Sequence, residues 1–358
     1  MTRGAAIVGV GASRYYKRGR SLPRTPSQLL GEAIRAACDD AGLAMTDVDG
    51  ITGYSGGLDN ALLAHELGIP EVRFVAALTG GGGGSAGAVG LAALAVSAGE
   101  AEVVVTACVM QQAAYRLGRT ALGPRATGPY AAQATPDKDF TYPYGLLGVG
   151  SKFAMVAQRH MHLFGTTREH FAEVAISTRA NALTRPTALM TKPLTHRDYF
   201  AARMISEPMC LFDYCLESDG AVAIVTTSAR RAAGLRQPAV RVLSSALGGA
   251  GRYGHSVGWM NAPDEYFVSG FHKGVADRLY AKAGVAPGDV SVALLYDHFA
   301  PMVLMQLEDY GFCPRGESGP FVADGNIRWP DGRLPLNTHG GNLSEAYIMG
   351  LTHVKEAV

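Results

Sequence analysis

The chain has 358 residues, 47% of them hydrophobic and 18% charged, with a formal net charge of +1. This is the composition of a globular protein with a large core. It lacks the basic excess of a nucleic-acid binder, and no apolar run reaches the ~18–20 residues of a membrane-spanning helix. The N-terminal stretch MTRGAAIVGVGAS is too short and too glycine-rich for a secretory signal. Five cysteines, Cys38, Cys108, Cys210, Cys215 and Cys313, are scattered and form no CxxC pair. They argue against a disulfide framework and a zinc site, and for the cytoplasm.

Residues 5–10 form an apolar, β-branched run that predicts a buried strand. Thr25 followed by Pro26 predicts a helix start, Leu29, Leu30, Ala33, Ile34, Ala37 and Cys38 recur at helical spacing, and Gly42 is a stop. A short strand is expected over 47–54. Five consecutive glycines, 80–84, precede a helix of small residues over 85–98, and 102–107 reads as a fully buried strand. This order predicts α/β architecture. From about 110 to 214 aromatic, proline and basic residues become frequent and strand signals vanish. Helices are expected at 152–163 and 168–182 in a mostly helical insertion. His160 and His162, on the first of these, are read as structural. A buried strand follows over 219–227.

The second half repeats the first. Ala41-Gly42-Leu43-Ala44 before Asp47-Val48 is matched by Ala283-Gly284-Val285-Ala286 before Asp289-Val290. Each copy follows an amphipathic helix, with Phe267, Phe271, Val275 and Leu279 as the second apolar stripe, and each leads into a strand. A duplicated chain is therefore expected. Its N-terminal half is 1–228, with the insertion at about 110–214, and its C-terminal half is 229–358.

Three segments resemble the thiolase superfamily. In thiolases a nucleophilic cysteine opens a buried helix that runs to Gly-x-Ala-Asp. Gly99-Glu100-Ala101-Glu102 fits that ending, and counting back puts Gly82 at the cysteine's position. Leu295-Tyr296-Asp297-His298-Phe299 resembles the His-Asp-x-Phe motif of sterol-carrier-type thiolases, with Tyr296 in place of the histidine. Asn337-Thr338-His339-Gly340-Gly341 through Tyr347-Ile348-Met349-Gly350 resembles Asn-x-x-Gly-Gly followed by Gly-His-Pro-x-Gly, with Tyr347 in place of the catalytic histidine. Gly311-Phe312-Cys313-Pro314 also matches the sterol-carrier type. Among the thiolase-like lipid-transfer proteins, the chain looks most like aldolases that cleave steroid side chains.

The resemblance implies a thiolase fold: two similar βα halves packed as a layered α-β-α-β-α core, with a helical loop insertion in the first half. It implies two further strands after Val358. It also implies a homodimer and a complex with a zinc-ribbon/OB-fold protein.

Without the nucleophile no acyl-enzyme can form at residue 82. The reaction that remains is retro-aldol cleavage of a β-hydroxyacyl-CoA, without metal or Schiff base, and with CoA as part of the substrate rather than a cofactor. By resemblance, a 17-hydroxy steroid carrying a three-carbon CoA side chain would give a 17-ketosteroid and propionyl-CoA. Tyr347 and Tyr296 are the expected acid–base pair. Because free tyrosine has a pKa of ~10, a cation or hydrogen-bond donor is needed to favour tyrosinate. His298 and His339 are candidates for that tuning or for holding the enolate oxygen. Backbone N–H groups around Gly340 and Gly341, or in the glycine run, are further oxyanion candidates.

Structural readings stand beside these. The glycine run is also a tight turn, Tyr347 and Tyr296 are also core aromatics, and Asp297 is also a helix cap. His298 and His339 are also packing residues, as are Cys108, Cys210 and Cys313. A non-catalytic lipid-binding or scaffold protein fits the same losses, and an acyltransferase or thiolase using another cysteine is a third reading.

Overall fold

The computed structural model describes residues 4–54, 59–78, 84–113, 142–146, 148–248, 269 and 272–358. In chain order its strands are β1 (Ala5–Ala12), β2 (Tyr16–Lys17), β3 (Gly50–Tyr54), β4 (Phe74–Leu78), β5 (Val103–Met110), β6 (Met204–Ser206), β7 (Met209–Cys210), β8 (Ser218–Ser228) and β9 (Val240–Arg241). The helices used below are α1 (Pro26–Ala41), α2 (Asn60–Leu67), α3 (Gly84–Ala98), α4 (Val149–Phe164), α5 (Arg168–Ala182), α6 (His196–Phe200), α7 (Ala229–Ala232), α8 (Lys273–Ala283) and α9 (Ala300–Asp309). Among the described residues no helix is long and apolar enough to cross a membrane.

Contacts divide the chain into two compact units. The first is Met1–Ala113, Ser218–Leu247 and Tyr347–Val358; the second is Ala114–Glu217 and Gly248–Ala346. Each draws on both of the expected sequence halves, and residue 228 falls at the end of β8.

The first unit is built on a seven-stranded mixed sheet in the order β4-β3-β5-β8-β1-β9, with β2 added to β8. β3 runs parallel to β4 and β5, while β8 is antiparallel to β5 and β1. Helix α1 starts as its sequence dictates. Thr25 and Gln28 form a reciprocal capping box, Pro26 occupies the first turn, and Gly42 ends the helix at φ 74°. Its buried face, Leu29, Leu30, Ala33, Ile34 and Ala37, packs on Val103, Val105, Ala107, Ala221, Ala223 and Val225 of the sheet. Helix α3 covers the opposite face, where Ala92, Ala95 and Val96 meet Val104 and Ala5.

The second unit is mainly helical. Phe171, Val174 and Ala175 of α5 pack with Val303, Leu304 and Leu307 of α9, and Leu336 and Leu343 join the same core. The insertion was expected to be free of strands, yet β6 and β7 pair there as a small antiparallel hairpin. Strands of two or three residues around Glu207-Pro208 carry no alternating apolar run by which sequence could reveal them. Of the expected stripe, Val275 is buried in α8, while Phe267 and Phe271 lie outside the described residues.

The two matched segments share local geometry. Gly42 at φ 74° ends α1 and Gly284 at φ 70° ends α8. A 3-10 turn follows each, and its aspartate caps the chain entry: Asp47 accepts from Ala44 N at 2.9 Å and Asp289 from Ala286 N at 2.8 Å. A left-handed glycine followed by an aspartate cap is a specific device to repeat at matching positions.

Candidate active site

In the second unit the loop 295–299 leads into α9. Asp297 does not cap that helix: Phe299 is the N-cap residue and offers no side-chain bond. The Asp297 carboxylate is fully buried and accepts from Asn342 N at 2.8 Å and Leu343 N at 3.3 Å. These amides open the π-helical turn Gly341–Glu345, so Asp297 ties the Tyr296 motif to the Asn337–Gly341 motif. Asn337 makes a second tie. Held at φ 45°, it accepts from Leu295 N at 2.8 Å through Oδ1 and donates from Nδ2 to Leu295 O at 2.9 Å. The sequence therefore brings Tyr296, Asp297, His298, Gly340 and Gly341 onto one frame.

Tyr296 is partly buried, and its carbonyl accepts from Gln306 Nε2 at 2.9 Å. The His298 ring lies 5.0 Å from the Tyr296 ring and 4.7 Å from Phe153, centroid to centroid. Burial pushes the His298 pKa down to about 4 despite a backbone hydrogen bond to Tyr296, and nearby His272 lowers it further. His298 is therefore a neutral imidazole at pH 7. That excludes it as the cation favouring tyrosinate and leaves it the part of a neutral donor or acceptor. Its Nδ1 is buried with no hydrogen-bond partner among the described residues. His339 is fully buried, with Nε2 3.9 Å from Glu345 Oε2, and Thr187 donates to Glu345 Oε1 at 3.2 Å.

Gly340 was expected to offer its N–H to an enolate oxygen. That N–H already donates to Asn337 O at 2.8 Å, so it is committed to the turn. The amides of Asn342 and Leu343 are committed to Asp297 in the same way.

In the first unit Tyr347 is buried, at 5% exposure, and its hydroxyl donates to Met349 Sδ at 3.0 Å. Ser218 at the start of β8 fixes its backbone: Tyr347 N donates to Ser218 Oγ at 2.8 Å, and Ser218 Oγ donates to Tyr347 O at 3.1 Å. Ser85, in the first turn of α3, donates to Met349 O at 2.6 Å. The tyrosine loop is thus fastened to the helix start that follows the glycine run. Gly82 itself lies outside the described residues. Sequence reasoning passed over Ser85 and Ser218, because a lone serine at an element boundary carries no signal of a distant partner.

Burial pushes the thiol pKa up at all five cysteines, to about 12 at Cys38, Cys108 and Cys313. A thiol so raised is a poor nucleophile at neutral pH, which disfavours an acyltransferase built on another cysteine. His160 is structural, bridging Thr166 Oγ1 at 2.8 Å and Glu308 Oε1 at 3.1 Å.

Comparison with known proteins matches residues 260–358 to a family described as thiolase C-terminal domain-like. The chain is 40% identical, over 99% of its length and 90% of the relative's, to the 17-hydroxy-3-oxo-4-pregnene-20-carboxyl-CoA lyase of Mycobacterium tuberculosis. It is 39% identical, over 99% of its length and 89% of the relative's, to the steroid side-chain-cleaving aldolase of Thermomonospora curvata. Among solved structures, the Ltp2-ChsH2(DUF35) aldolase superposes with a TM-score of 0.88 at 38% identity, covering 99% of this chain and 89% of that one. A thiolase-type fold with tyrosines at positions 296 and 347, and such identity over nearly the whole length, leads to one conclusion: this chain belongs to the steroid side-chain-cleaving aldolases, a lyase branch of the thiolase superfamily.

Proposed function

We propose that the chain cleaves a steroid β-hydroxyacyl-CoA by a retro-aldol reaction, giving a 17-ketosteroid and propionyl-CoA. The observation that carries this reading is the 40% identity, over almost the full length, to a lyase named for a 17-hydroxy steroid carboxyl-CoA. In the reaction a base takes the proton of the β-hydroxyl and the Cα–Cβ bond breaks. Its electron pair passes onto the thioester as an enolate, and an acid then protonates Cα. Tyr347 and Tyr296 share these two proton transfers, with Asp297 and Asn337 holding the frame around Tyr296. The scheme asks for no metal and no Schiff base, and CoA enters only as part of the substrate.

The working assembly is a homodimer joined to a zinc-ribbon/OB-fold protein of the DUF35 type. Support for that partner class comes from the similar solved structure, the Ltp2-ChsH2(DUF35) aldolase. Its setting is the cytoplasm. The matched glycine-and-aspartate turns support two duplicated halves, 1–228 and 229–358.

The test is to co-express the chain with a DUF35-type partner and supply the 17-hydroxy steroid thioester. Propionyl-CoA and the 17-ketosteroid should form in equal amounts. A folded complex that binds a panel of such thioesters tightly without turnover would favour the lipid-binding reading instead.

A further inference from the structure

Gln112 is fully buried, and among the described residues neither polar atom of its side chain has a hydrogen-bond partner. Native proteins pair nearly all such groups, and an orphaned buried donor or acceptor costs about 1–3 kcal/mol. The backbone needs nothing from this amide, since Gln112 N already donates to Asp219 Oδ1 at 2.8 Å. For stability alone an apolar residue of the same length would serve better.

Its place in the sheet says what the amide faces. Side chains alternate along β5. Val103, Val105, Ala107 and Val109 pack in the core beneath α1. The alternate set faces α3: Val104 packs on Ala92, and Thr106 shares a 2.7 Å hydrogen bond with Thr52, whose hydroxyl donates to Ala88 O. Continuing that alternation puts Gln112 on the α3 face. Gln111 correspondingly turns the other way, donating to Ser21 Oγ at 2.9 Å and to Arg24 O at 2.7 Å. The β5–β8 register pairs Cys108 with Val222 and Met110 with Gly220. Beyond the last of these pairs, Gln112 N donates to the side chain of Asp219, the residue next to Ser218. Ser218 holds the Tyr347 backbone, and Ile348 lies over Gly220. The unpaired amide therefore occupies the sheet face and sheet end to which the Tyr347 loop is fastened.

The chemistry supplies the missing partner. Retro-aldol cleavage moves an electron pair onto the thioester, and the charge settles on its oxygen. That oxygen needs a hydrogen-bond donor, and the NH2 of a buried, unpartnered amide is one. We infer that Gln112 is a catalytic residue whose Nε2–H donates to the substrate's thioester oxygen and strengthens its hold as that oxygen becomes an enolate. The assignment rests on the aldolase reading. Gln112 gives up no proton; it holds the oxygen until an acid protonates Cα. Among the described residues no partner fixes either end of the amide, so its NH2 can turn to the oxygen.

The experiment compares wild type, Gln112→Met and Gln112→Glu, each co-expressed with the DUF35-type partner. It reads steroid thioester cleavage and, separately, exchange of the Cα protons of propionyl-CoA in D2O by mass spectrometry. Losing one oxyanion donor costs about 10²–10³-fold in kcat. Both variants should show that fall with KM nearly unchanged, and exchange should fall in parallel. Gln112→Met should melt no lower than wild type, because it removes an unpaired buried amide. Variants that cleave and exchange at wild-type rates overturn the assignment. Wild-type exchange without steroid cleavage overturns the substrate reading alone, and Gln112 is then judged on exchange. A wild type that does neither overturns both.

Discussion

Asp297 stands where a side chain on Gly341 would have to go. A Cβ built on Gly341 lies 2.0 Å from Asp297 Oδ2, and the residue sits at φ 60°. Gly341→Ala must therefore move the buried carboxylate off its amides while adopting a left-handed backbone. The expected loss is about 2–4 kcal/mol in urea unfolding. Adding Asp297→Gly removes the clash, so the double variant should be more stable than the two single losses would sum to. Simple additivity would mean that the two residues are not in contact.

Asp297 is predicted to act by holding backbone rather than by touching substrate. Asp297→Ala leaves the N–H groups of Asn342 and Leu343 unpaired in the core, at about 1–3 kcal/mol each. Asp297→Asn keeps one acceptor oxygen and should lose roughly half as much. If the role is positioning, activity in the two variants will track their stability. An Asn variant with wild-type stability and no turnover would place the carboxylate in the chemistry itself.

The contrast between these residues and α1 shows what a sequence can carry. Thr25, Pro26, Gln28 and Gly42 fix the ends of α1 by chemistry confined to a few neighbouring residues, so its limits were legible from the start. The buried strands β1, β5 and β8 were legible as apolar runs. Asp297 was not: its partners lie 45 and 46 residues away, and adjacency to Phe299 suggested a cap on the wrong element. Gln112 was invisible for a deeper reason. An amide that stays unpaired is defined by what surrounds it, and no local pattern encodes an absent partner. The motif resemblance supplied Tyr296 and Tyr347 without saying what holds them. Ser218 and Ser85 emerge only once β8 and α3 are in place.

Tyr347→Phe should separate chemistry from folding. Its hydroxyl donates to the thioether of Met349, a weak acceptor, while its backbone is held by Ser218. The variant should lose under about 1 kcal/mol of stability and about 10²-fold or more in kcat, the range expected for a general acid or base. Thermal melting and steady-state cleavage read the two effects separately. Unchanged turnover in a well-folded variant would return Tyr347 to the packing core.

The last prediction concerns acid. In the folded protein the His298 pKa falls to about 4, against about 6.5 for a free histidine. Between those values the unfolded chain binds a proton at this site and the folded chain does not. Stability therefore falls as pH drops through this window, by at most about 1.4 kcal/mol per pH unit for one site. His272, also lowered to about 4, adds to the fall. Asp213, raised to about 6 by burial, opposes it, because there the folded state keeps the proton. Comparing wild type with His298→Phe isolates the one site, and phenylalanine suits its aromatic neighbours Phe153 and Phe299. In urea unfolding from pH 7.5 to 4.5, wild type should lose stability faster than the variant below about pH 6.5. A gap that stays constant across that range would mean that His298 titrates in the folded protein as it does in the open chain.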